Sequence, residues 1–296
     1  MDLKRLGNVP PYDWPEDTDE AILDTLTSKQ ASASDRLTAA RMAGEIVVMN
    51  NEIAETLLAL AQSSHEPEDL RATAAVALGA VLEQADVEML GDGKFDDPNA
   101  VPITEATFRQ LVDGLRKLYS DESLSKEVRR RVLEASVRAQ RDWHATALKT
   151  AYGSKDKDWK LTAVFGMQYI RGFDAQILES LESSDRQLRY FAIEAAGNWQ
   201  IDAAWPHIVG LVQDPRTPKD LRLAAIEALA NIRPEEAGTI LVDIDHRGDE
   251  EIKEAADEAM MMAAAQSEEP DEEDNEDEDD DESDDEEGEN GGKWLN

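Results

Sequence analysis

Along much of the chain, apolar and small residues return at offsets of 0, 3, 4, 7 and 8, with polar residues between them. Leu221, Ala224, Ala225, Ala228 and Leu229 follow this pattern in full. Such offsets share one face of an α-helix, whereas a strand would alternate at every second residue. Five more stretches read alike: "LRATAAVALG" from Leu70, "VRRRVLEASV" from Val128, "WKLTAVFGMQ" from Trp159, "LRYFAIEAAG" from Leu188 and "IKEAADEAMM" from Ile252. Each opens with a large apolar residue followed by Arg or Lys. The unit at Val128 departs from the pattern, with Arg131 at offset 3. Alanine dominates the shared face, so neighbouring helices can approach closely along it.

The six starting points are separated by 58, 31, 29, 33 and 31 residues. Between them lies a second helical set: "NEIAETLLALAQ", "TEATFRQLVDGLRKLY", "RDWHATALKTAY", "DAQILESLES", "DAAWPHIVGLVQD" and "PEEAGTILVDID". Several of these begin with Asp, Glu or Pro, which suits a helix N-terminus. The repeating unit is therefore a pair of antiparallel helices. One pair cannot bury its apolar face alone, so the pairs must stack. The pattern predicts an all-α solenoid of about six to seven helix pairs over residues 33–266.

The 58-residue interval holds one extra stretch, centred on the Gly/Asp/Pro-rich "EMLGDGKFDDPNAVPI". It predicts a loop insertion near residues 85–103. Residues 1–32 read as an extended, proline-rich segment and then a helix, "DTDEAILDTLTS", with an Asp17-x-x-Glu20 capping signal, covering the N-terminal end of the stack. A more degenerate first repeat opens at Ser34-Asp35-Arg36.

These units resemble the HEAT-repeat family, including the shorter bacterial HEAT-like repeats of the phycobilisome-lyase type. "LVQDPRTPKDLRLAAIEALANI" carries the resemblance best and "LESSDRQLRYFAIEAAGNW" next, and it extends over about residues 33–265. The resemblance implies an acid shortly before each Leu/Val-Arg pair, the two linking adjacent repeats. Asp156 and Lys160, Asp185 and Arg189, and Asp249 and Lys253 keep that four-residue spacing. At Leu70 the spacing fails, because Pro67 stands four residues before Arg71. These pairs read as structural.

The family also contains enzymes. HEAT-repeat deoxyhypusine hydroxylases hold two irons with His-Glu pairs at equivalent helix positions. Here those positions read Ala-Thr, Arg-Arg, Leu-Thr, Tyr-Phe, Leu-Ala and Glu-Ala, and His65-Glu66 alone cannot supply such a site. Phycobilin lyases share the repeat, but the chain has no cysteine and no bilin-specific motif. Phosphate-binding loops, dinucleotide fingerprints, nucleophile elbows and zinc-protease motifs are also missing from the sequence. The expectation is a non-enzymatic protein without cofactor or metal.

Charge adds two features. The net charge is −36, and Glu268 to Glu289 holds 18 acids and no base. That run cannot bury apolar surface and is expected to be a disordered tail over residues 267–296. It ends in Gly-Gly-Lys and then Trp294 and Leu295, a hydrophobic tip that could anchor in a pocket. The charge repels nucleic acid and attracts a basic protein or peptide.

Residues 115–171 run the other way, with 13 bases against seven acids. Arg129, Arg130, Arg138, Arg141, Trp143, His144, Lys149 and Trp159 form a candidate binding patch. Its helix "RDWHATALKTAY" belongs to the set expected to line the concave face. The patch reads either as an anion site, which the tail could cover from within the same chain, or as a solvated helix surface. HEAT-like DNA glycosylases use a basic concave face with Trp and Asp, but the overall charge argues against DNA.

The N-terminus lacks the apolar run of a signal peptide, and no stretch approaches 18 apolar residues, so a cytoplasmic protein without a membrane span is expected. The leading functional expectation is a scaffold or adaptor for another protein, with the tail as second contact or autoinhibitor. A phosphate- or nucleic-acid-binding repeat protein and a HEAT-like lyase or hydroxylase are the alternatives.

Overall fold

The computed structural model describes residues 1–88, 100–244 and 249–268, with side chains as far as 266. The acidic tail, its Trp294–Leu295 tip and most of the expected insertion lie outside the described residues. A four-residue helix, α1 (Leu3–Leu6), leads in. Antiparallel pairs follow: α2 (Thr18–Thr27) with α3 (Ala33–Met42), and α4 (Asn51–Gln62) with α5 (Glu68–Ala77). An extra helix, α6 (Gly79–Glu88), precedes the pair α7 (Glu105–Ser120) and α8 (Lys126–Ser136). Then come α9 (His144–Tyr152) with α10 (Lys157–Gly166), and α11 (Asp174–Leu181) with α12 (Arg186–Asn198). The last pairs are α13 (Trp205–Gln213) with α14 (Lys219–Ile232), and α15 (Pro234–Val242) with α16 (Glu250–Glu268). Among the described residues that makes seven stacked pairs and no strand.

The two rows differ in spacing. α3, α5, α8, α10, α12, α14 and α16 pack directly on one another down the stack. From α9 onward, each helix of the other row packs mainly on its own partner, whereas α7 also packs on α4 and α6. The alanine faces explain this: Ala192, Ala195, Ala196, Ala224, Ala225 and Ala228 are buried between neighbours. At the seam of α12 and α14, a Cβ on Gly197 would lie 2.9 Å from the Cα of Ala228, so only glycine lets the backbones meet there. The Leu-Arg helices are thus the closely packed inner row, and the other helices form the outer row.

In four of the pairs the arginine at the Leu-Arg position has a defined task, whereas the Nε of Arg189 in α12 is buried without a partner among the described residues. Arg36 Nε donates to Leu26 O at 3.1 Å, Arg71 to Ala61 O at 3.1 Å, Arg129 to Tyr119 O at 3.1 Å and Arg222 to Val212 O at 2.9 Å. Each acceptor lies ten residues earlier, in the last turn of the preceding outer helix, where carbonyls lack an intrahelical partner. The arginine thus staples the two helices of one pair.

Links between pairs use other residues than the sequence spacing suggested. Asp156 bonds with Lys126 of the preceding repeat at 2.9 Å, and Asp249 with Lys219 at 2.8 Å. Arg186 pairs with Asp220 in the same way. The ladder also reaches the N-terminal end, where Arg36 and Glu66 meet at 2.6 Å. Asp185 instead caps α12, accepting from the amides of Gln187 and Leu188. Lys160 reaches forward to Glu179 at 3.0 Å and Lys253 turns to Glu250 of its own helix at 3.8 Å. The four-residue pairs do not form because the acid, as helix cap, points along its own first turn and toward the preceding repeat. Exposed pairs of this kind contribute about 0–1 kcal/mol each, so they tune the stack more than they hold it.

At the N-terminus, Pro11–Asp13 forms a 3₁₀ turn, and α1 packs against α3. Asp17 takes the expected capping position of α2 but makes no side-chain cap bond. α6 is helical where the sequence suggested that a loop begins, and Val101 and Ile103 beyond it are buried. No helix among the described residues is long and apolar enough to cross a membrane.

Candidate functional site

Part of the central basic segment is folded into ion pairs. Arg130 is 6 % exposed; its Nε donates to Thr162 Oγ1 at 2.9 Å and its Nη1 to Glu127 at 2.9 Å. Thr162 Oγ1 donates in turn to Glu134 Oε1 at 2.7 Å, and Arg131 bonds both Glu127 and Glu134 at 2.8 and 2.7 Å. Arg138 pairs with Glu83, and Arg141 with Asp86 at 2.8 Å, both acids coming from the extra helix α6. Arg138 lies across Gly79, where a Cβ would come within 2.9 Å of its side chain. Arg129 sits over the rings of Tyr119 and Trp159.

The remaining patch residues divide between packing and solvent. Trp143 is half-buried, 5.0 Å from the Tyr119 ring and 4.0 Å from that of His144. His144 is fully buried. Its Nδ1 accepts the Arg141 amide at 3.0 Å, and its Nε2 meets Ser136 Oγ at 3.2 Å. Burial, then the Arg141 charge, depresses its pKa to about 4, so it is neutral at physiological pH. Lys149 is exposed. Arg141 and Trp143 precede α9 rather than lying within it, so the four residues expected on that helix do not share a helical face.

A different surface stands out on the inner row. Arg138 lies over the rings of Phe165 and Tyr169 at 5.6 and 5.1 Å. Phe165 meets Phe191 at 5.3 Å, and Phe191 meets Tyr190 at 5.8 Å. This half-buried aromatic ribbon crosses from α8 to α12 and leads into a groove of about 500 Å³ over α12, α14 and α16. Leu223, Ala255, Ala259 and Met262 give the groove an apolar floor, and Glu194, Glu227 and Glu258 line it with acid. Burial, then the nearby Glu227 charge, raises the pKa of Glu194, which also hydrogen-bonds with Tyr190.

This surface carries no run of bases, and its mark in the sequence lies in the repeat register: Glu194, Glu227 and Glu258 each stand six residues after the opening Leu188, Leu221 or Ile252. Aromatic residues on the open stripe of an alanine-rich helix were a second sign. Among the described residues, no group of three or more His, Cys, Asp or Glu side chains is placed to hold a metal ion.

The stacked pairs with an open inner groove define a helical-repeat protein of the α-solenoid class. More narrowly, residues 175–261, which include most of the groove, match the family model for HEAT repeats. No curated protein sequence matches the chain. Several solved structures are similar. Human deoxyhypusine hydroxylase in complex with glycerol shares 16% identity, with 89% of this chain and 88% of that one covered and a TM-score of 0.39. The Escherichia coli protein YibA shares 12%, covering 88% and 97%, with a TM-score of 0.45. The complex of CpcE and CpcF of phycocyanin lyase from Nostoc shares 16%, covering 86% and 97%, with a TM-score of 0.43.

Proposed function

We propose that this protein is a scaffold or adaptor that holds a segment of another protein in the curved inner face of its solenoid. One observation carries the reading: the groove over α12, α14 and α16 joins an apolar floor to the aromatic ribbon of Phe165, Phe191 and Tyr190. Half-buried aromatics beside an open groove are the type of residue that dominates protein interfaces. The acids of the tail would draw a basic partner toward the groove, and Trp294 with Leu295 would give a second anchor. The ion pairs of Arg130, Arg131, Arg138 and Arg141 weigh against a polyanion as the ligand of the central segment.

The test is site-specific photocrosslinking in the native cytosol. A benzophenone side chain at Leu223, on the groove floor, is expected to trap a protein adduct. The same group at His207, exposed on the outer row, is expected to trap none. Equal trapping at both positions, or none at Leu223, removes the reading.

A further inference from the structure

Among the described residues, three glutamates on the inner row have no cation bonded to them. Glu194, Glu227 and Glu258 occupy the same place in three consecutive repeats, and none makes an ion pair with a described residue. Glu134 holds the same repeat position and is bonded by Arg131 and Thr162, and Asp220, which also lines the groove, is bonded by Arg186. Packed helices are about 8–10 Å apart, so the three carboxylates form a ladder with rungs of about that spacing. They flank a floor of Leu223, Ala255 and Met262.

The rung spacing limits what can meet all three carboxylates with one repeating side chain. A polyproline II chain advances about 3.1 Å per residue with three residues per turn. Every third side chain then returns to one face after about 9.3 Å, close to the spacing of the rungs.

Resting on the scaffold reading, we infer that the occupant is an extended, cationic polypeptide segment with Lys or Arg at every third position. Its cations face Glu194, Glu227 and Glu258, and an apolar residue between them meets the Leu223–Met262 floor. The crowding of Glu194 by Glu227 agrees with a site completed by an incoming positive charge.

The test uses the full chain, tail included, at physiological salt. A dye-labelled peptide of four Arg-Leu-Pro repeats is followed by fluorescence anisotropy. The triple variant E194Q/E227Q/E258Q is expected to weaken binding at least about tenfold. A charge-matched variant of three exposed acids elsewhere, E182Q/E235Q/D257N, is expected to leave it unchanged. A peptide of the same composition with its arginines consecutive is expected to bind more weakly and to be indifferent to the groove triple. The glutamines replace mutually repelling carboxylates, so the unfolding midpoint should hold or rise, which separates lost binding from lost folding. Absence of binding by the repeat peptide, equal weakening by both triple variants, or equal affinity for the clustered peptide would each overturn the inference. A protein adduct at Leu223 alongside any of these results would leave the scaffold reading standing with a partner of other chemistry.

Discussion

Glu134 and Glu227 occupy the same position in their repeats, one in the centre of the stack and one near its C-terminal end. Glu134 is buried under Arg130, Arg131 and Thr162, whereas Glu227 is exposed and makes no ion pair with a described residue. The central segment is the more basic by count, yet Lys126, Arg130, Arg131, Arg138, Arg141 and Lys160 are each spent on an acid. The C-terminal repeats carry fewer bases and leave acids open to solvent. Binding potential thus follows from which charges remain unpaired, and a window of net charge does not report that.

The comparison breaks most visibly at Arg130. Arg130→Met leaves Glu134 buried with a weakened network, and a loss of about 3 kcal/mol is expected in urea unfolding. Glu227→Gln at the equivalent place should change stability by less than about 0.5 kcal/mol. Should both cost the same, the contrast between the regions fails.

Next in size is the seam beneath the open groove. Gly197→Ala drives a methyl against the Ala228 backbone, so a loss of about 2 kcal/mol is expected. Smaller, and of opposite sign, is the end of α12. Gln200 sits there at φ 49°, with its amide bonded to Gly197 O and that of Ile201 to Ala196 O, the pattern of a left-handed helix end. Gln200→Gly should stabilise by about 1 kcal/mol, read from the same unfolding curves.

The two regions should also answer pH in opposite directions. His144 has its folded pKa depressed to about 4, below the ordinary 6.5, so the unfolded chain takes up that proton first. Its contribution is complete above about 6.5 and is lost as pH falls toward about 4. Glu194 has its folded pKa raised, so the folded chain takes up its proton first, and stability is gained as pH falls through that raised value. Side-chain NMR titration of both residues checks the signs, and Glu227→Gln should bring Glu194 back toward the ordinary glutamate range.

The repeats were legible because alanine at helical spacing has little alternative use in a protein of this composition, and the Leu-Arg opening marks each unit. Pairing was not legible. Asp156 and Lys160 are four residues apart, but the cap bond turns Asp156 toward Lys126, 30 residues earlier. The partners of Arg138 and Arg141 lie 55 residues upstream, on a helix that runs into the stretch expected to be a loop. The acidic ladder was legible from the repeats once aligned, and aligning them for apolar residues alone concealed it.

The arginine staples bear on how the chain comes together. Each closes a loop of ten residues, so the entropy lost in making it is small and no distant segment is needed. A helix pair can be fastened as soon as its second helix has left the ribosome, before the next repeat exists. Contacts this local favour rapid folding. Each finished pair then offers its alanine face as the template on which the following one assembles.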